Sequence, residues 1–137
     1  GFDQDRLARA KAFGAEVMER RYVADMPLDG QFPIVVDGSN IRDGLIYALR
    51  STAACGYCTS VSAPGRTIDN IPLASMYMKG ITFEISRAQA RAEMEKVIQC
   101  ACDGHIQHQE VISTHVPFSQ AQDVMTNPDI KIVFEAD

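Results

Sequence analysis

The chain has 137 residues, 46% of them apolar and 23% charged, with a formal net charge of −5. This is one domain's worth of material with the composition of a folding chain, which argues against disorder, and an acidic total without a Lys/Arg stripe argues against a nucleic-acid surface. No apolar run approaches the roughly 18 residues that span a bilayer, no charged segment followed by an apolar core marks a signal peptide, and the cysteine density is below that of small disulfide scaffolds, so the expectation is a reduced, cytoplasmic protein.

Gly1-Phe2-Asp3 reads as an apolar stub ending in an acid. The second strand of a dinucleotide-binding unit ends this way, on an aspartate that accepts hydrogen bonds from the adenosine ribose hydroxyls. A helix follows over residues 6–13, with Leu7 and Ala10 inward, Arg6, Arg9 and Lys11 in water, and Gly14 as its C-terminal cap. Residues 16–18 are expected to form a short strand, and residues 25–30, with Pro27 and Asp29-Gly30, a turn-rich connection. Phe32-Pro33-Ile34-Val35-Val36-Asp37 is a continuous apolar run ending in an acid, a pattern that suits a parallel strand covered on both faces. Gly38-Ser39-Asn40 then offers a turn and an N-cap, and Ile41, Leu45, Ala48 and Leu49 recur at helical spacing.

Residues 57–61 read as the next strand, and Pro64-Gly65 opens a loop reaching Pro72. Leu73, Met76 and Tyr77 make a short helical face that Gly80 ends. Ile81-Thr82-Phe83-Glu84-Ile85 alternates apolar with polar, as a strand with one covered face does. Met94, Val97, Ile98 and Ala101 form an i, i+3, i+4, i+7 stripe closed by Gly104. Residues 111–116 and 130–134 are further strands, with a short helix over 119–125 between them. Alternation of strands and helices predicts an α/β chain with a mainly parallel sheet and flanking helices.

Several side-chain groups invite a chemical reading. Cys55-Gly56-Tyr57-Cys58 has the spacing of a redox pair, but a helix precedes it and a strand follows, so its thiols lack the helix N-terminus that activates such pairs, and small-residue packing is the default. Cys100, Cys102, His105 and His108 could be read as zinc ligands, yet residues two apart on a helix diverge by about 200° and Gly104 explains the local pattern as a cap. Asp37 is either a functional strand-end acid or a cap on the turn into the next helix. His115 reads as a structural hydrogen-bonding residue, and Lys131 as an edge-strand charge unless a ligand claims it.

Six of these segments, in order and over nearly the whole chain, resemble the C-terminal part of the zinc-type medium-chain alcohol dehydrogenases. Arg6-Leu7-Ala8-Arg9-Ala10 leading to Gly14-Ala15 is similar to the family's R-L-x-x-A…G-A stretch, and Pro33-Ile34-Val35-Val36-Asp37-Gly38-Ser39 to its F-D-V-V-D-x-x-G strand and turn. Met78-Lys79-Gly80-Ile81-Thr82-Phe83 resembles K-G-I-x-F. Cys102-Asp103-Gly104-His105-Ile106 with Ile112-Ser113-Thr114-His115-Val116-Pro117-Phe118 resembles A-x-G-x-I…I-T-H-x-x-P-F, and Ile130-Lys131-Ile132-Val133-Phe134 its closing K-x-V-x strand.

The resemblance implies a Rossmann-like fold, incomplete because the first strand and its glycine-rich turn are absent. Residues 1–85 would be a partial NAD(P)-binding domain and residues 86–137 the return to the catalytic domain. It implies NAD rather than NADP, with Asp3 on the ribose hydroxyls, where a 2′-phosphate would meet a carboxylate. Asp5 competes for that role, since the interval from Asp3 to Gly14 is shorter than the family's. Val61, Ser62 and Ala63 would contact the nicotinamide ribose and carboxamide, Ile81 and Phe83 would offer backbone groups to that carboxamide, and Lys131 would reach the pyrophosphate. Asp37 stands with these as a candidate cofactor residue. Serine and alanine follow Val61 where a glycine is common in the family.

The family's zinc ligands, proton relay and glycine fingerprint precede this region, so no catalytic or metal-binding residue is assigned, and the isolated chain is expected to be inactive in hydride transfer. The alternatives are a zinc-free quinone reductase relative, a non-catalytic α/β binding or assembly module, and a thiol-redox protein using Cys55 and Cys58. The resemblance also implies a homo-oligomer paired through the strand at residues 81–85. In the 3-2-1-4-5-6 strand order the absent strand lies between the stub ending at Asp3 and the strand ending at Asp37. An apolar seam is therefore expected there, relieved by element swapping, by a rearranged sheet, or by the rest of a larger protein.

Overall fold

The computed structural model describes the chain except for Tyr22, residues 63–69, Ser113, residues 127–130 and Asp137. Its contacts gather into two compact units, one formed by Arg20–Ala88 and the other by Gly1–Glu19 with Gln89–Asp137.

In the first unit, β1 (Phe32–Asp37), β2 (Thr52–Ser60) and β3 (Thr82–Ile85) form a parallel sheet in the order β1-β2-β3. The crossovers carry α2 (Arg42–Ser51) and α3 (Leu73–Lys79). Two right-handed crossovers stepping in the same direction place both helices on one face of the sheet. That face holds the core: Leu45, Ala48 and Leu49 of α2, Met76 of α3 and Cys58 of β2, with Val35, Ile81 and Phe83 packed around them. The stripe read at Leu45, Ala48 and Leu49 therefore points inward as expected, whereas Ile41 is the residue before the helix and lies exposed. Of the α3 face only Met76 is buried; Leu73 and Tyr77 face outward.

The opposite sheet face carries Ile34, Val36 and Tyr57, exposed at 72%, 60% and 60%. Sequence reading expected β1 to be covered on both faces; the described chain covers one, because both of its crossover helices fall on the same side. The strand read at residues 57–61 begins five residues earlier, directly after α2. Phe32 pairs with Thr52 but Ile34 pairs with Tyr57, so β2 spends three more residues than β1 over this interval. Cys55 sits at φ 57° in this bulge. Gly56 passes so close to the neighbouring backbone that a Cβ there would lie 2.9 Å from the carbonyl oxygens of Ala53 and Pro33, which a side chain does not tolerate.

The irregular segment before β1 is tied onto α2 by side chains. Tyr47 Oη donates to Asp29 Oδ2 at 2.5 Å, and Arg20 pairs with the same carboxylate oxygen at 2.8 Å. Arg50 donates to the carbonyls of Ala24 and Met26. Lys79 Nζ donates to Arg50 O at 2.8 Å and Thr52 O at 2.9 Å, satisfying carbonyls at the end of α2 that have no partner within the helix.

The second unit contains α1 (Gln4–Ala12), α4 (Ala90–Cys102), α5 (Ala121–Thr126) and a parallel pair, β4 (Thr114–Pro117) with β5 (Ile132–Glu135). Here the sequence reading needs correction. Residues 1–3 form no strand: Asp3 is the N-cap of α1, its carboxylate accepting the Arg6 N–H at 3.0 Å. Residues 16–18 are irregular too, because no described strand lies alongside to take up their backbone groups. A 3-10 turn at His108–Val111 replaces the start of the strand read from residue 111. Helices α1 and α4 do end at Gly14 and Gly104, both left-handed, as expected. His115 Nδ1 lies 3.1 Å from Glu135 Oε1, matching its structural reading.

Candidate functional site

In a parallel α/β sheet, ligands bind beyond the carboxyl ends of the strands. The ladder brings Asp37, Ser60 and Ile85 level at that end of β1, β2 and β3. Asp37 is 5% exposed. Its Oδ1 accepts the Ser39 N–H at 3.0 Å and the Ser39 hydroxyl at 2.6 Å, and its Oδ2 accepts the Ser60 hydroxyl at 3.0 Å. A buried carboxylate needs such donors to offset its lost hydration. Its own carbonyl takes the Val61 N–H at 2.9 Å, fixing the chain just past β2.

Glycines flank this arrangement, and one of them is sterically required. A Cβ on Gly44, in the first turn of α2, would sit 2.1 Å from Ser39 Oγ, so the loop after β1 rests directly on the helix backbone. On the other side Gly38 faces the Val61 side chain at ordinary van der Waals range, 3.7 Å from where a Cβ would stand. Val61 itself is 69% exposed. Beside it, the Ser62 hydroxyl is buried and, like that of Ser51, has no hydrogen-bond partner among the described residues. A polar atom in that condition is uncommon in a finished structure and is the kind a bound group satisfies.

Asp37, Val61 and Ser62 are thus brought together, and Ala63 lies outside the described residues. Ile81 and Phe83 are placed differently. Phe83 pairs with Cys58 and Ile85 with Ser60, so the β3 residue level with the end of β2 is Ile85. The side chains of Ile81 and Phe83 pack on the core, and the Ile81 N–H is committed to Met76 O at 3.1 Å. Asp3 and Lys131 belong to the other unit. Asp3 caps α1, pairs with Arg6 Nε at 3.6 Å, and lines a shallow recess with Phe2 and Leu7. Lys131 immediately precedes β5, its carbonyl accepting the Thr114 N–H.

Sequence reasoning missed Ser60 and Gly44. The D-x-S spacing of Asp37 and Ser39 was legible as a side-chain turn, but Ser60 joins only through strand pairing and Gly44 only through tertiary contact.

The thiols divide by environment. Cys58 is buried beneath α2, and burial pushes its pKa up; a hydrogen bond with Thr52 acts the other way, and the Asp37 charge adds to the rise. Cys55, three residues earlier, is exposed. Among the described residues no group of three or more His, Cys, Asp or Glu is placed to hold a metal ion.

No family model matches the sequence, and no curated protein matches it. Solved structures do match by fold. A short chain alcohol dehydrogenase from E. coli CFT073, solved with NADH, superposes with a TM-score of 0.81 at 16% identity, over 98% of this chain and 42% of that one. The 2R,3R-butanediol dehydrogenase of Bacillus subtilis gives 0.82 at 12% identity, over 100% and 42%. An alcohol dehydrogenase from Thermus sp. ATN1 gives 0.75 at 22% identity, over 92% and 39%. The chain therefore spans about two fifths of the length of the structures it matches. Over that span its fold is a Rossmann-like fragment, with parallel sheets and flanking helices, shared with alcohol dehydrogenases and related dehydrogenases. No helix among the described residues is long and apolar enough to cross a membrane.

Proposed function

We propose that this chain forms the nicotinamide side of the cofactor domain of an NAD-dependent, zinc-type alcohol dehydrogenase working in the cytoplasm. The observation that carries the reading is the level row of strand ends at Asp37, Ser60 and Ile85, with Val61 presented beyond them and the Ser62 hydroxyl without a partner among the described residues.

In this reading Val61 and Ser62 line the nicotinamide ribose and carboxamide. Val61 offers an apolar surface to the ring, and Ser62 Oγ gains the partner it lacks. Backbone contact with the carboxamide, assigned from sequence to Ile81 and Phe83, is supplied at Ile85, with Ile81 and Phe83 holding β3 against the core. For Asp3 and Lys131, the adenosine ribose hydroxyls and the pyrophosphate are proposed from the family resemblance alone. The bound cofactor supplies the hydride chemistry; the protein holds it in place. Residues 1–85 then serve the cofactor and residues 86–137 return the chain toward a catalytic domain. The outer edge of β3 pairs with a second copy, as an open strand edge invites.

The test uses the natural polypeptide carrying this sequence, at the length at which it is expressed. NADH fluorescence should rise and saturate on titration, and an alcohol with NAD should give NADH. Failure to bind NADH overturns the reading. Binding without turnover of alcohols, aldehydes or quinones favours the non-catalytic module, and turnover of quinones alone favours the quinone reductase relative. The 137-residue chain by itself should show no hydride transfer; measurable NADH production by it would refute that part.

A further inference from the structure

The carboxylate of Asp37 is turned inward, toward protein donors on two different elements. One oxygen holds Ser39, in the loop between β1 and α2; the other holds Ser60, the last residue of β2. The same residue fixes Val61 through its main-chain carbonyl. Ser39 is in turn wedged against Gly44 at the start of α2. We propose that Asp37 is a positioning residue: it locks the loop after β1 to the end of β2, and so sets where Val61 and Ser62 stand to receive the nicotinamide half of a dinucleotide.

The inference rests on the dinucleotide reading, and it changes the part played by Asp37, which sequence analysis left open between ligand contact and cap. At 5% exposure, with donors on both oxygens, the side chain acts behind the site. Each hydroxyl that bonds it does two things: it stabilises a buried charge, and it ties its own segment to the end of β1. Losing either hydroxyl leaves the carboxylate under-satisfied and loosens the segment it holds, while the main-chain bonds of Ser39 and Val61 to Asp37 remain. The cost then falls on ligand groups that touch Val61 and Ser62, and an adenosine moiety bound elsewhere does not feel it.

The experiment compares NADH with ADP-ribose, which lacks the nicotinamide, on the natural polypeptide and its Ser60→Ala and Ser39→Ala variants. Each variant should weaken NADH about tenfold and leave ADP-ribose within about twofold, the size expected for one hydrogen bond to a buried charge. Ser60→Thr, which keeps the hydroxyl, should restore NADH affinity. The double variant should lose less than the product of the single losses, because both serines act through one carboxylate. Equal losses for both ligands, no loss at all, or strictly multiplicative losses each overturn the proposal. Gly44→Ala gives a second handle: a methyl group there displaces Ser39 without touching Asp37, and it should reproduce the NADH-selective loss.

A ligand-free readout separates this inference from the function beneath it. Ser39→Ala should move the amide resonances of Val61 and Ser62, to which the hydrogen bonds among the described residues connect Ser39 through Asp37. If those resonances stay still, the positioning role is overturned whatever binds. If they move while neither NADH nor ADP-ribose binds the unmodified protein, the dinucleotide reading is what falls.

Discussion

Helices α2 and α4 carry equally regular apolar stripes, and they end in opposite circumstances. Leu45, Ala48 and Leu49 of α2 go under a three-stranded sheet and are closed from water. Met94, Val97 and Ile98 of α4 each stay more than half exposed, and α1, α4 and α5 contain no buried residue. The difference lies in what each unit has to offer as cover. Three strands with two helices on one face make a layered core, whereas the two short strands β4 and β5 do not amount to a layer. A hydrophobic period therefore tells which face of a helix asks for cover; it does not tell that the cover is present.

The sharpest way to break this comparison is a pair of truncations. Leu49→Ala should cost about 2–5 kcal/mol, read as a shift in the urea midpoint, because it empties a fully enclosed site. Ile98→Ala should cost no more than about 0.5 kcal/mol, as at an exposed position. A loss at Ile98 as large as that at Leu49 would mean that α4 is covered in solution, and the contrast would fail.

Next in size is Lys79→Met, which keeps the stem and removes two charge-assisted bonds to Arg50 O and Thr52 O. It should cost about 1–3 kcal/mol, and hydrogen exchange should localise the loosening to the end of α2 and the start of β2. An unchanged exchange rate there would show that Lys79 contributes no more than a surface charge.

In the other unit Asp3→Ala removes the cap of α1 and should cost about 1 kcal/mol of local helix stability, seen as faster exchange at residues 5–7 with the Arg20–Ala88 unit undisturbed. A global loss of stability would show that the two units share more than this reading allows.

The smallest energetic effect concerns the thiols. At mildly alkaline pH iodoacetamide should modify exposed Cys55 and Cys102 and spare Cys58. Since burial holds the Cys58 proton more firmly in the folded chain than in the unfolded one, its contribution to stability is complete below the ordinary thiol pKa. It is lost as pH rises through the higher folded value. Early modification of Cys58 in the native protein would contradict the packing described for it.

Much of the cored unit was legible in the sequence, for local reasons. The Leu45–Ala48–Leu49 spacing, the alternation before Ile85, and glycines at the helix ends all express rules that act within a few residues. The strand-end acid at Asp37 was legible too, and the cluster at Val61 and Ser62 came from family resemblance. What escaped depends on partners distant in sequence. Asp3 has the local pattern of a strand end, yet without a neighbouring strand its carboxylate turns to the helix that follows it. The early start of β2 follows from a bulge that only pairing with β1 reveals. That Ile81 and Phe83 pack on the core while Ile85 stands level with the end of β2 shows only once the ladder is formed. Ser60 and Gly44 enter the site solely through tertiary geometry.

The bulge in β2 also makes that strand count in twos. Phe32 and Ile34 lie on the same side of β1, yet their partners Thr52 and Tyr57 lie on opposite sides of β2, one buried and one exposed. An odd number of extra residues has inverted the phase, and everything downstream inherits the inversion, with Cys58 and Ser60 inside and Tyr57 outside. Sequence length is therefore constrained here by parity rather than by amount. Losing one residue from the bulge would turn Ser60 away from Asp37 while leaving the composition of the strand almost unaltered, whereas losing two would shorten the loop and keep every inward residue inward.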